Sequence, residues 1–135
     1  MALPTPTPNR SQSPHVLVVD DDKPVTDLFK KELEKIGYTV DTAANGAEGL
    51  EKAQQFKPKL IILDMIMPKI SGREFLEKLR GFKGTFAIPV MIVSHLESAY
   101  EQKKCEELGI ECFLVKHQHS VADIIGQAKA ILTSR

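Results

Sequence analysis

The stretch HVLVVDDDKPV, residues His15–Val25, decides the fold. Its four apolar residues, Val16–Val19, show no polar alternation, which reads as a strand buried on both faces. Three carboxylates follow at once, Asp20, Asp21 and Asp22. Like charges this close repel, and burying one of them unpaired is costly. Pro24 suits the first turn of a helix, where its missing N–H costs little. Asp22, just before that turn, reads as a helix N-cap rather than a ligand.

Outward from this stretch, the same alternation recurs. Val25, Leu28, Phe29, Leu33 and Ile36 fall at helical spacing, and Gly37 is placed to end that helix. YTVDTAA is strand-like, and NGAEGLEKAQQF is a shorter helix stopped before Pro58. KLIILD is a second strong apolar run, and it too ends in a carboxylate, Asp64. MPKISG is a loop, and REFLEKLR a helix with Phe75, Leu76 and Leu79 on one face. IPVMIVS is a third apolar strand, with Pro89 tolerable at its start. ESAYEQKKCEELG is a polar helix with a weak apolar face, and ECFLVK is the last strand. VADIIGQAKAIL closes the chain as a helix, with Val121, Ile124, Ile125, Ala128 and Leu132 in phase.

Strand and helix therefore alternate five times. That pattern predicts an α/β domain: a five-stranded parallel sheet with helices on both faces, a flavodoxin-like (βα)5 unit. The common strand order for such a unit is 2-1-3-4-5. Residues 1–14, rich in Pro, Ser and Thr, read as a disordered tail, and 15–134 as the domain.

Composition narrows the function. Apolar residues make up 42% of the 135 and charged ones 27%, with 18 basic and 18 acidic side chains. Zero net charge argues against a nucleic-acid surface. No apolar run is long enough to span a bilayer, and no secretory signal opens the chain. Cys105 and Cys112 lack the spacing of a CxxC pair and read as reduced thiols of a cytoplasmic protein.

In an open parallel sheet, ligands bind beyond the carboxyl ends of the strands, where strand order reverses. In the order 2-1-3-4-5 that point lies between the first and third strands. Asp20, Asp21 and Asp22 follow the first, and Asp64 ends the third. Ser94 ends the fourth and Lys116 the fifth, at the same edge. Several carboxylates, a hydroxyl and an amine suit a hard divalent cation such as magnesium, and a carboxylate can itself accept a phosphoryl group.

VVDDDKP, LIILDMIMPKISG, VMIVS and CFLVK together resemble the receiver domain of two-component response regulators. Ser94 stands 30 residues after Asp64 and Lys116 stands 52 after it, matching that family's acceptor, switch hydroxyl and lysine. The resemblance implies a phosphorylation-dependent signalling switch with Asp64 as acceptor. It implies Mg2+ held by Asp21, by Asp20 largely through water, by Asp64 and by the backbone carbonyl of Ile66. Ser94 and Lys116 would engage the phosphoryl group, and Phe113 would be an aromatic switch residue. The phosphodonor would be a histidine kinase or a histidine phosphotransfer protein, and the output a downstream protein target. Such a domain is no enzyme beyond promoting its own phosphorylation and dephosphorylation. The Met start and the closing helix favour a free-standing receiver over a piece of a longer regulator.

Several residues depart from the family pattern. Ser94 stands where Thr is usual, and His95 follows it where a small residue is usual; that imidazole either narrows access to the site or points to solvent. His117 replaces a proline that normally follows the lysine with a cis bond. Cis geometry before a non-proline residue costs about 2.5–4 kcal/mol, so a trans bond is expected here and the approach of Lys116 is open to change. His117 and His119 read as surface residues rather than metal ligands. Two other functions compete. One is a pseudo-receiver that binds partners without phosphorylation. The other is a haloacid-dehalogenase-type phosphatase with Asp20 as nucleophile and Asp22 as acid/base, although Pro24 stands where that family has Thr.

Overall fold

A computed structural model describes residues 14–134. The proline-rich stretch lies outside the described residues, apart from Pro14. Five strands alternate with five α-helices: β1 (Val16–Val19), α1 (Lys23–Lys35), β2 (Val40–Ala43), α2 (Gly46–Phe56), β3 (Leu60–Leu63), α3 (Gly72–Gly81), β4 (Val90–Ser94), α4 (Ala99–Leu108), β5 (Cys112–Val115) and α5 (Val121–Thr133). All the strand pairs are parallel, in the order β2-β1-β3-β4-β5. A single 3-10 turn, Lys116–Gln118, follows β5.

Two apolar layers hold the sheet. Phe29 and Leu33 of α1 pack with Ile124, Ala128 and Ile131 of α5 on one face. Ala53 of α2, Phe75, Leu76 and Leu79 of α3 and Cys105 of α4 pack on the other. Successive strand residues point to opposite faces, so Leu17 and Val19 join the second layer while Val16 and Val18 join the first. Both faces of β1 and β3 are thus dry, and this is why their sequences carry no polar alternation.

Three expectations from the sequence are corrected. Leu28 and Ile36 share the helical phase of α1 but lie exposed, while Thr26 is buried in their place. Thr26 can be buried because its hydroxyl donates to the Lys23 carbonyl at 2.9 Å. The polar helix starts at Ala99 rather than Glu97, because the Ser98 hydroxyl accepts the Glu101 N–H and caps it. In α5 the buried positions are Ile124, Ala128 and Ile131, with Ile125 and Leu132 only partly covered.

Candidate functional site

Sheet register brings the acidic residues together. Val19 of β1 pairs with Ala43 on one side and with Leu63 of β3 on the other. The residue after β1 and the residue after β3 are both aspartates, Asp20 and Asp64. The Asp20 N–H donates to the Ala43 carbonyl at 3.0 Å, and the Asp64 N–H donates to the Val19 carbonyl at 3.0 Å. Asp20, Asp21 and Asp64 offer carboxylate oxygens that all lie within 4.8 Å of one another. Among the described residues this is the one grouping of acidic, histidine or cysteine side chains fit to hold a metal ion. Asp20 and Asp64 are buried and Asp21 is exposed, so the group opens to solvent on one side. A cavity of about 220 Å³ adjoins Asp20 and Asp21, with Lys23 and Lys52 on its wall.

Lys116 reaches this group from β5, two strands beyond β3. Its Nζ donates to Asp20 Oδ2 at 2.8 Å, and both side chains are largely buried. The bond between Lys116 and His117 is trans, as expected, and the lysine arrives nonetheless. Burial pushes the Asp20 carboxyl up, and the charge of Asp64 adds to that, while Lys116 and the Asp22 N–H pull it down. Against three carboxylates stands one ammonium, an excess of negative charge that a hard cation with oxygen ligands would neutralise. The donor set therefore fits magnesium.

Asp22 occupies the N-cap position of α1, but its side chain makes no capping bond. Instead its N–H donates to Asp20 Oδ1 at 2.9 Å, and its carbonyl accepts from Val25 and Thr26. Asp22 thus stands at the N-cap and outside the acidic group, as expected, but it caps without its side chain: its backbone serves Asp20 and the first turn of the helix.

Ser94 ends β4 fully buried, and its hydroxyl accepts the Leu96 N–H at 3.2 Å. Ser94 pairs in register with Val115, so Lys116 is one residue further along the same edge. Ile66 is exposed, and its N–H donates to Asp64 Oδ1 at 3.3 Å. Phe113 is half-buried against the layer of α2, α3 and α4. His95 is exposed, the solvent-facing alternative. His117 is exposed as well, and His119 half-buried.

Two residues beside the site carried no functional signal in the sequence. Gly72, which marked only the end of a loop, lies against the Asp64 carbonyl and within 2.7 Å of Met65 Cα, measured from where its Cβ would stand. Glu97, grouped with a polar helix, instead lies in the loop after Ser94 and contacts His117 and Gln118. The Glu97 contact has no local sequence signature, since it joins segments 21 residues apart, whereas Gly72 meets residues only seven and eight positions back in the same loop.

Comparison with known proteins gives the same reading. The response regulator receiver domain family matches residues 16–126. The alkaline phosphatase synthesis transcriptional regulatory protein PhoP of Bacillus subtilis is 36% identical over 117 residues, covering 87% of this chain and 48% of that protein. A CheY-like receiver domain protein from Methanospirillum hungatei superposes with a TM-score of 0.81 at 28% identity, covering 88% of this chain and 93% of that one. The CheX-CheY-BeF3-Mg complex from Borrelia burgdorferi superposes with a TM-score of 0.78 at 26% identity, covering 86% and 87%. The chain spans about half the length of the curated relatives it matches. No helix among the described residues is long and apolar enough to cross a membrane. The phosphatase and pseudo-receiver readings find no support in these matches. With its strand order, its acidic group and its lysine at the expected edge, this chain belongs to the response regulator receiver domains, the phosphorylation-dependent switches of two-component signalling.

Proposed function

We propose that residues 15–134 form the receiver unit and that Asp64 is its phosphoryl acceptor. The observation that carries this reading is the convergence of Asp20, Asp21 and Asp64 with Lys116 at one sheet edge. Asp64 is the member that the lysine does not engage directly and whose Oδ1 is oriented by the Ile66 N–H. Asp21, Asp64 and the Ile66 carbonyl would hold Mg2+, with Asp20 acting largely through water. When bound, the ion would screen the carboxylates and the phosphoryl oxygens.

The reaction needs alignment and charge neutralisation more than covalent help. An oxygen of Asp64 attacks phosphorus in line. The bond from phosphorus to the donor's imidazole nitrogen breaks and its electron pair stays on that nitrogen; with a proton held on the other ring nitrogen of the donor, the products are an aspartyl phosphate and a neutral histidine on the kinase or phosphotransfer protein. Lys116 then has two anionic partners, Asp20 and the new phosphoryl group. The Ser94 hydroxyl is a donor available to a phosphoryl oxygen, because its present bond uses it as an acceptor. Drawing Ser94 inward shifts the loop after β4, and Phe113 turns into the space released. The surface of α4 and α5 then differs between states, and a downstream partner reads that difference. Phosphorylation biases this equilibrium only through its differential interaction with the two states.

Nucleic-acid binding is not assigned to this chain. Its net charge of zero supports that, although the printed names of several relatives are those of transcriptional regulators.

The experiment is intact-mass analysis after incubation with acetyl phosphate and magnesium. The wild type gains one phosphoryl mass, and Asp64→Asn gains none. Labelling that persists in Asp64→Asn overturns the assignment, as does an unlabelled wild type.

A further inference from the structure

In the turn Lys116–Gln118 only the lysine side chain is covered, His117 and Gln118 being exposed, and its backbone closure is a long bond, the His119 N–H to the Lys116 carbonyl at 3.3 Å. Yet it must hold the lysine that enters the acidic group. Its two other side chains both contact Glu97. His117 Nε2 lies 3.4 Å from Oε1, and Gln118 Nε2 donates to Oε2 at 3.2 Å. Glu97 sits three residues after Ser94 and immediately before Ser98, which caps α4. One carboxylate, carried by the loop between Ser94 and α4, therefore touches the turn that carries Lys116.

We infer that Glu97 is a positioning residue: its two oxygens join the Ser94 loop to the Lys116 turn, so that the two respond to the phosphoryl site as one unit. The inference rests on the reading of Asp64 as acceptor. His117 and Glu97 are 55% and 64% exposed in their side chains, so solvent and salt screen their attraction. An effect of about twofold to fivefold is the scale that such a pair supports. Glu97 touches neither the acceptor nor the acidic group; it acts through the turn.

The tie is read first without phosphodonor, by amide hydrogen exchange at residues 116–119. Glu97→Ala speeds exchange there by about twofold to fivefold, and Gln118→Ala does so more weakly. Unchanged exchange in both variants overturns the tie. Acetyl phosphate and magnesium are then added, and amide chemical shifts are followed at 95–98 and at 116–119, with Asp64 labelling checked by mass. In the wild type both segments shift together. In Glu97→Ala the labelled protein keeps the shift at 95–98 and loses at least half of it at 116–119. Glu97→Gln, which keeps one oxygen acceptor, lies between. A full shift at 116–119 in labelled Glu97→Ala overturns the coupling. A wild type that is not labelled at Asp64 removes the acceptor reading and the coupling with it, while the exchange data still decide whether the tie exists.

Discussion

Lys116 Nζ lies 2.8 Å from Asp20 Oδ2, although β5 and β1 are separated by two strands in the sheet. A long side chain spans that gap because β1 and β5 both end at the same edge. The pair is one of the few buried charge contacts in the described fold.

Removing the lysine leaves Asp20 buried without its counter-ion. Breaking such a pair from one side costs about 3 kcal/mol. Lys116→Ala should therefore lower urea-unfolding stability by about that much in the presence of a chelator. Excess magnesium should recover much of the loss, since an ion bound only by the folded state stabilises it by mass action. Labelling of Asp64 should persist in this variant while partner response to phosphorylation disappears. A normal response would remove the coupling role given to Lys116.

Gly72 stands where the chain of α3 passes the tip of β3. Its N–H donates to the Met65 carbonyl at 2.9 Å, and a Cβ there would meet the backbone of Asp64 and Met65. Backbone cannot rotate away as a flexible side chain can. Gly72→Ala should cost about 1–3 kcal/mol and slow acceptor labelling by displacing Asp64. Gly81→Ala, on the same helix with open space around it, provides the control and should change stability little.

Arg80 is the fastening point of the opposite edge. Its guanidinium donates to the carbonyls of Leu108, Phe86, Ile88 and Gly109 at 2.7–3.1 Å. It thus ties the end of α3 to the end of α4, a helix with only one buried residue of its own. Arg80→Ala should destabilise the chain by about 3 kcal/mol in thermal unfolding, because the carbonyls lose charge-assisted donors. Arg80→Lys should recover little, since an ammonium lacks the planar fork that serves four acceptors at once.

Cys105 is that one buried residue, with its Sγ 3.7 Å from Met65 Sδ. Burial pushes its thiol up from the usual 9.0 to about 11, with Glu101 adding to the shift. A thiol harder to ionise when folded favours the folded state below pH 9, and that advantage is lost as pH rises through about 11. Stability measured from pH 8 to pH 11 should fall less steeply in Cys105→Ala than in the wild type. At pH 8 the native Cys105 should resist a thiol reagent that labels it at once in denaturant. Rapid native labelling would contradict the burial.

Much of this molecule was legible before any coordinates. Val16–Val19 and Leu60–Leu63 are apolar throughout because both faces of those strands are covered, and that covering demands a parallel sheet with crossover helices. The acidic tips, Ser94 and Lys116 follow from that topology, since every strand of such a sheet ends at one edge. Local chemistry also set one turn: Gly37, placed to end α1, adopts a φ of 99°. What only the tertiary structure decided were contacts between segments far apart in sequence. Helical phase placed Leu28 and Ile36 inward, but α1 needs only a narrow stripe against β1 and α5, so they face solvent. The furthest hydrogen-bond partners of Lys116, Arg80 and Glu97 lie 96, 29 and 21 residues away in the chain. A sequence pattern reports periodicity and local propensity; it carries no record of which distant atoms the packed sheet will bring within 3 Å of a given charge.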